Sequence, residues 1–453
     1  MASSCRASVP LRIVLVRHGL SSFNIEKRIQ GRDDLSSLTE TGQDQARLTG
    51  QALAGIGLDA VYSSPLRRAA ETARLLLQTQ GSGTAIQFEQ DLLEIDLSPW
   101  TGLTPADLGE RDPNGLALWR EAPERLELQR SDGSVYSPLG ELMEQAQRFL
   151  NTLLERHGGR DQTVLVVAHN AILRTLLLQL LGLPIDHFRR LRIDNTSVSV
   201  LNLLPPPDGS TRPFAIQIES LNGVSHLGSP LPTPGAGSRV LLVRHGETDW
   251  NRQGRFQGQI DIPLNSNGWS QARAAGTFLA STRIDRAYSS SMARPRQTAE
   301  AILTSHPGVP LTTLRGLVEI GHGLWEGCLE SEIAEGWPQL LADWKRAPET
   351  VQMPDGETIQ QVWDRAMETW NRIVASLAPG ETALVVAHDA VNKAILCALL
   401  GLGPGDIWAV KQGNGGVTVI DHPSAQDGPA TVTSLNITAH LGGVLDRTAA
   451  GAL

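Results

Sequence analysis

The chain has 453 residues, more than one hydrophobic core ordinarily organises, so two domains are expected. Its apolar content of 41%, charged content of 19% and formal net charge of −9 fit a soluble globular protein. They argue against duplex nucleic acid or an anionic membrane surface as partner, since both reward dense Lys/Arg patches, and no run approaches the ~18–20 apolar residues of a spanning helix.

The start, "MASSCRASVPLRIVLVRHG", passes directly into a strand pattern, which predicts an intracellular, cytoplasmic protein without a secretory leader. "RIVLV" is a β-branched apolar run that suits a strand buried on both faces, and it ends on Arg17, His18 and Gly19, with Asn24 soon after. "GQDQARLTGQALA" follows with helical periodicity. "VYSSPLRRAAETARLLL" then predicts a short strand, a Ser64 cap, Pro65 at the first helical position and Arg68 in the first turn, near N–H groups that favour an anion. Glu94 lies in "LLEIDLSPWTG", and "TVLVVA" is a second strand pattern ending on His169. Alternating strand and helix signals predict an α/β sandwich, and ligands enter such sheets at the carboxyl ends of the strands, where both histidines fall.

The whole series then repeats. "RVLLV" leads to Arg244, His245 and Asn251; "AYSSSMARPRQTA" carries Arg294; "LVEIGHGLWEG" carries Glu319; and "TALVVA" leads to His388. The offsets between equivalent residues are 227 for His18 and His245, 226 for Arg68 and Arg294, 225 for the glutamates and 219 for the later histidines. Order is kept and the offset drifts slowly, as in a duplicated domain. Between the copies lies "GSPLPTPGAGS", rich in Gly, Pro and Ser, which reads as a semi-flexible linker. The expected layout is one domain over residues 1–227, a linker over 228–238 and a second domain over 239–453.

Each copy offers two guanidinium forks, two imidazoles, an amide and a carboxylic acid. Paired arginines suit the oxygens of a phosphate. An uncharged imidazole can attack phosphorus in line, and a second one, if protonated, can stabilise the equatorial oxygens. A protonated glutamate can give its proton to the leaving alkoxide. The scheme needs no metal and no cofactor, and no carboxylate cluster or His-x-x-x-His spacing suggests a metal site. Cys5, Cys328 and Cys397 are scattered and read as reduced, structural thiols.

On these motifs each half resembles the histidine phosphatase superfamily, also called the phosphoglycerate mutase-like family. The resemblance implies two tandem three-layer α/β/α sandwich domains. It implies His18 and His245 as nucleophiles, Glu94 and Glu319 as acids, and His169 and His388 beside them. Arg17, Arg68, Arg244 and Arg294 would form the phosphate pocket, lined by Asn24 and Asn251. The tandem layout resembles plant 2-carboxy-arabinitol-1-phosphate phosphatase-type proteins and their cyanobacterial relatives. The implied function is hydrolysis of a small phosphorylated metabolite, a sugar phosphate or a phospho-acid.

Two alternatives remain open: a mutase that returns the phosphoryl group to its substrate, and a regulatory protein with one inactive copy. Mutases of this family carry a longer insert between the acid and the second histidine; here that segment spans 75 positions in one half and 69 in the other, which favours water as acceptor. The halves differ at Leu20 against Glu247, in an extra residue within "QGRDDLSSLTETG", and at "SPWTG" against "LWEG". None removes a pocket residue, so both sites are expected to be competent, with substrates that need not match. Glu141 and Glu357 read either as second acids or as helix-start residues. His322 reads as local, Trp325 as core or pocket rim, and His226 and His440 as packing or capping residues.

Overall fold

The computed structural model describes residues 10–206, 213–424 and 428–449; Cys5 lies outside them. The chain divides into two compact units, Met1–Pro205 with Asn222–Ser229, and Pro206–Leu221 with Pro230–Leu453.

In the first unit the strand Leu11–Arg17 runs parallel to Gln162–Ala168, which runs parallel to Ala60–Ser63, which in turn runs parallel to Ile86–Phe88. Val198–Leu204 covers the other side of Leu11–Arg17 in antiparallel fashion. The second unit repeats this with Ser238–Arg244, Thr382–Ala387, Arg286–Ser290, Leu311–Leu314 and the antiparallel Val417–His422. The central strands are apolar because both faces are covered: Val240, Leu241, Leu242 and Val243 are each 0% exposed. Each such side chain contributes about 1.5–3 kcal/mol over its exposed state. Helix Glu40–Ala52 forms where the periodicity predicts one, and Ser266–Leu279 is its counterpart in the second unit. The architecture is α/β, as expected.

The register does what the sites require. Arg17 pairs with Ala168 and Arg244 with Ala387, so His18 and His169 leave neighbouring parallel strands side by side, as do His245 and His388. The glycine after each first histidine serves packing. A Cβ on Gly19 would stand 2.4 Å from the Gly42 carbonyl oxygen, and one on Gly246 equally close to that of Gly268. The strand end and the helix after it therefore touch backbone to backbone.

Two expectations need correction. Ser64 does not cap the next helix and Pro65 is not its first residue: the helix runs Arg67–Gln80 with Leu66 at the cap and no side-chain cap. Asp34 supplies the missing acceptor, taking a 2.7 Å bond from the Arg67 N–H, as Asp261 does for Ala293. The Gly/Pro-rich stretch is also partly packed: Leu231 is buried in the second unit's core, and the Pro232 carbonyl accepts from Arg239.

Candidate active site

The paired strand ends bring the two imidazoles of each unit together. Ring centroids are 5.1 Å apart for His18 and His169 and again 5.1 Å apart for His245 and His388. All four rings are buried. His18 Nδ1 lies 2.8 Å from the Gly19 carbonyl oxygen and His245 Nδ1 lies 2.7 Å from that of Gly246. A carbonyl only accepts, so Nδ1 carries the proton and Nε2 holds the lone pair. Burial, followed by the nearby arginines, holds both imidazoles well below the usual histidine range, so they are uncharged at neutral pH.

The arginines close around them. Arg68, in the first turn of its helix, is fully buried and donates to the carbonyls of Asp33 and Gly31 at 2.8 and 2.9 Å. Arg294 donates to Gly258 at 2.8 Å and Ile260 at 3.2 Å. Arg17 is held by the Ile193 carbonyl and Arg244 by that of Gln412. Arg17 Nε, Arg68 Nε and Arg244 Nε are buried donors without a protein acceptor. Each such donor costs about 1–3 kcal/mol, and an oxyanion would relieve it.

Asn24 and Asn251 stand at the N3 position of short helices, where the amide Oδ1 accepts from the backbone and hydroxyl of Ser21 or Thr248. A further donor reaches Oδ1, from Asn195 in the first unit and Asn414 in the second. With Oδ1 saturated, the amide nitrogen is the group left to meet a ligand.

The glutamates lie beside the second histidines. Glu94 Oε1 accepts from the N–H groups of Ala171 and Ile172, at the start of the helix Asn170–Leu181 that follows His169. Glu319 Oε2 accepts from the Asp389 N–H at 3.0 Å, at the start of helix Asp389–Leu400. Burial, then the neighbouring Asp389 carboxylate, raises the Glu319 pKa above the ordinary range, against the opposing pull of Arg294. The first unit has Asn170 where Asp389 stands.

His169 and His388 are also held well below the usual range by burial and by Arg68 or Arg294. Each ring is therefore uncharged when nothing anionic is bound. The Nε2 atoms meet Ser64 Oγ at 2.8 Å and Ser290 Oγ at 2.9 Å, which is the role of the serine first read as a cap. Nδ1 of each ring is buried without a protein partner.

Several structural partners escaped the sequence reading. Asn195 Nδ2 donates to the His18 carbonyl at 2.8 Å, and Asn414 Nδ2 to that of His245 at 3.1 Å. Their separation is 219, the same as that of His169 and His388, and this shared offset was the available signal. His226 and His440 steady these loops through the Thr196 and Gly415 carbonyls. Arg32 donates to the Glu94 carbonyl in the first unit, whereas Arg365 does this for Glu319 in the second.

Other candidates have structural partners of their own. Glu357 is paired with Arg365 at 2.9 Å and Glu141 with Arg130 at 2.6 Å. His322 and Trp325 are fully buried against Phe256. Among the described residues no group of three or more His, Cys, Asp or Glu could hold a metal ion, and no helix is long and apolar enough to cross a membrane.

This geometry occurs twice, and so does a family match. The pattern of the histidine phosphatase superfamily (branch 1) fits residues 13–205 and again residues 240–438. The chain belongs to the histidine phosphatase superfamily. Along 95% of its length, and 88% of the relative's, this histidine phosphatase is 28% identical to a probable 2-carboxy-D-arabinitol-1-phosphatase of Arabidopsis thaliana. A 2-carboxy-D-arabinitol-1-phosphatase of Triticum aestivum is 35% identical over 46% of this chain and 41% of its own length. Phosphoserine phosphatase 1 of Hydrogenobacter thermophilus is 31% identical over 45% of this chain and 94% of its own. Among solved structures, Bacillus stearothermophilus YhfR is 30% identical over 45% of this chain and 99% of that one, with a TM-score of 0.43. The histidine phosphatase described here is a tandem phosphatase enzyme.

Proposed function

We propose that the chain hydrolyses small phosphorylated metabolites, sugar phosphates or phospho-acids, in the cytoplasm through a phosphohistidine at His18 and at His245, without a metal ion. The observation that carries this reading is the Nδ1–carbonyl bond at each of these histidines, which leaves an uncharged Nε2 lone pair among arginine donors.

In the first unit, Arg17, Arg68 and the Asn24 amide nitrogen take the phosphoryl oxygens. Nε2 of His18 attacks phosphorus while the bond to the ester oxygen breaks. Charge on the equatorial oxygens is met by donors already in place. Bound dianion favours a proton on His169, whose Nδ1 has no protein partner. Glu94 gives its proton to the departing alkoxide. In the second half-reaction it takes a proton from water, whose oxygen displaces Nε2 and releases inorganic phosphate. Glu319, with its raised pKa, is suited to the same cycle at His245.

The relatives support a substrate of this size: one set is named for a carboxylated sugar alcohol phosphate, another for phosphoserine. Phosphate release from an aryl phosphate, with and without chelator, tests the proposal on the wild-type chain and on His18→Ala, His245→Ala and the double variant. Activity that survives chelation, falls in each single variant and disappears in the double supports it. Activity abolished by chelator contradicts it. Isomerisation of a phosphoglycerate with little free phosphate would instead indicate a mutase, and loss in one single variant alone would make the other copy regulatory.

A further inference from the structure

The two sites share their phosphate-facing residues and diverge beyond the acid. In the first unit a cavity of about 310 Å³ opens beside Glu94 and Asn170, with Trp119, Phe188, Arg174 and Arg189 around it. Arg174 Nε is buried without an acceptor, and no described residue takes a hydrogen bond from this guanidinium. It lies over the Phe188 ring, 5.2 Å from the centroid, and Arg189 lies over Trp119 at 5.9 Å. Burial, then the like charges of Arg17 and Arg189, push the Arg174 pKa down to about 10. Three arginines, Arg28, Arg174 and Arg189, line this cavity, and Glu94 is the one carboxylate among its lining residues.

The second unit differs at the matching positions, each 219 residues on. Asp389 replaces Asn170, Lys393 replaces Arg174, Ile407 replaces Phe188 and Trp408 replaces Arg189. Lys393 Nζ is 2.8 Å from Asp389 Oδ2, and both are buried. The cation one turn into this helix is thus neutralised by the chain itself, and the other is an indole. A buried cation already paired with a carboxylate has little to offer a second anion.

From this contrast we infer that the first unit's site takes a phosphate ester bearing a second anionic group, a carboxylate or another phosphate, bound by Arg174, while the second unit's site has no such requirement. The inference rests on the phosphatase reading and names the substrate class that one copy prefers. A guanidinium on a carboxylate or phosphate makes charge-assisted bonds that a neutral hydroxyl cannot replace. The apolar wall of Phe188 and Trp119 lowers the local dielectric and strengthens them.

The test uses the full chain with one site silenced. His245→Ala reports the first unit and His18→Ala the second. Release of phosphate is measured for 3-phosphoglycerate, fructose 1,6-bisphosphate and glycerol 3-phosphate, the last having no second anion. In His245→Ala the ratio of kcat/KM for either of the first two to that for glycerol 3-phosphate should be high. Adding Arg174→Gln should lower this ratio tenfold to a hundredfold, mainly through KM, since one charge-assisted bond is worth about that much. Arg174→Lys, which keeps a cation, should restore part of it. A fall for only one of the two anionic substrates tells carboxylate from phosphate.

The inference is overturned if Arg174→Gln leaves the ratio unchanged, or if His18→Ala shows the same preference as His245→Ala. The second comparison needs no change at Arg174, so it decides the matter even where that substitution harms folding. In either case hydrolysis of glycerol 3-phosphate would still report on the phosphatase reading separately.

Discussion

In the second unit the Nε–H of Arg294 points at Nε2 of His245 across 3.2 Å, a bond that Arg68 does not make to His18. The donor confirms which nitrogen of His245 holds the lone pair. It also occupies that lone pair until a phosphoryl oxygen draws the guanidinium away. Arg294 then serves twice, keeping the nucleophile oriented at rest and receiving charge during transfer. Arg294→Ala in a His18→Ala background should lower kcat/KM for an aryl phosphate by about 10²–10³-fold. Arg68→Ala in a His245→Ala background should cost a similar factor. Steady-state rates of the two series check this, and a loss below threefold would remove the arginines from the reaction.

Asp389 gives the second unit its own pH dependence. Its carboxylate raises the Glu319 pKa, and Glu319 must hold a proton to serve the leaving group, so activity falls as pH rises through that value. Asp389→Asn removes the like charge and lowers the Glu319 pKa. The descending limb of the kcat/KM profile should therefore move to lower pH in His18→Ala/Asp389→Asn. The first unit already carries Asn170, so Asn170→Asp in His245→Ala should move its limb the opposite way. An unmoved limb in both would take the glutamates out of the acid role.

Ser64 and Ser290 test the second histidines more gently. Each hydroxyl contacts Nε2 of His169 or His388 and fixes which way the ring faces. Removing one such bond costs about 0.5–1.5 kcal/mol. Ser64→Ala and Ser290→Ala should thus reduce kcat of their own units by about threefold to tenfold, with thermal melting nearly unchanged. A loss as large as that of His169→Ala would mean that the serine itself reacts.

Stability should decline in mild acid. His18, His169, His245 and His388 all have folded pKa values depressed by burial, and His322 is pushed down to about 3. The unfolded chain binds protons near pH 6.5, where the folded chain still refuses them. Folding free energy is therefore full above about pH 7 and is lost progressively as pH falls from 6.5 toward the folded values. Urea unfolding at pH 7.5 and pH 5.5 measures this. Inorganic phosphate should reduce the difference by favouring the protonated second histidine.

Much of this could be read from the sequence, and for identifiable reasons. His18, His169, Arg17, Arg68 and Glu94 announce themselves because their side chains suit one chemistry and recur in order as His245, His388, Arg244, Arg294 and Glu319. The strands were legible because burial on both faces demands unbroken apolar runs. What escaped depends on contacts across the fold. Ser64 precedes a proline and a helix, so local rules made it a cap, yet its hydroxyl meets a histidine 105 residues later. Asn195 and Asn414 act through backbone carbonyls of distant residues, which carry no residue-type signal. Arg32 and Arg365 do equivalent work from unrelated positions, so the repeat itself concealed them. Leu231 sits in a Gly/Pro-rich stretch whose composition suggests a tether, although its side chain joins a core.

The central claim is tested most directly by trapping the covalent intermediate. The full chain, mixed with a ³²P-labelled phosphate ester and quenched in alkali within milliseconds, should carry an acid-labile, alkali-stable label. Peptide mapping should place it on His18 and His245, with each signal absent from the matching His→Ala variant. Label confined to His169 and His388, or an enzyme that turns over without any histidine-bound phosphate, would contradict the account.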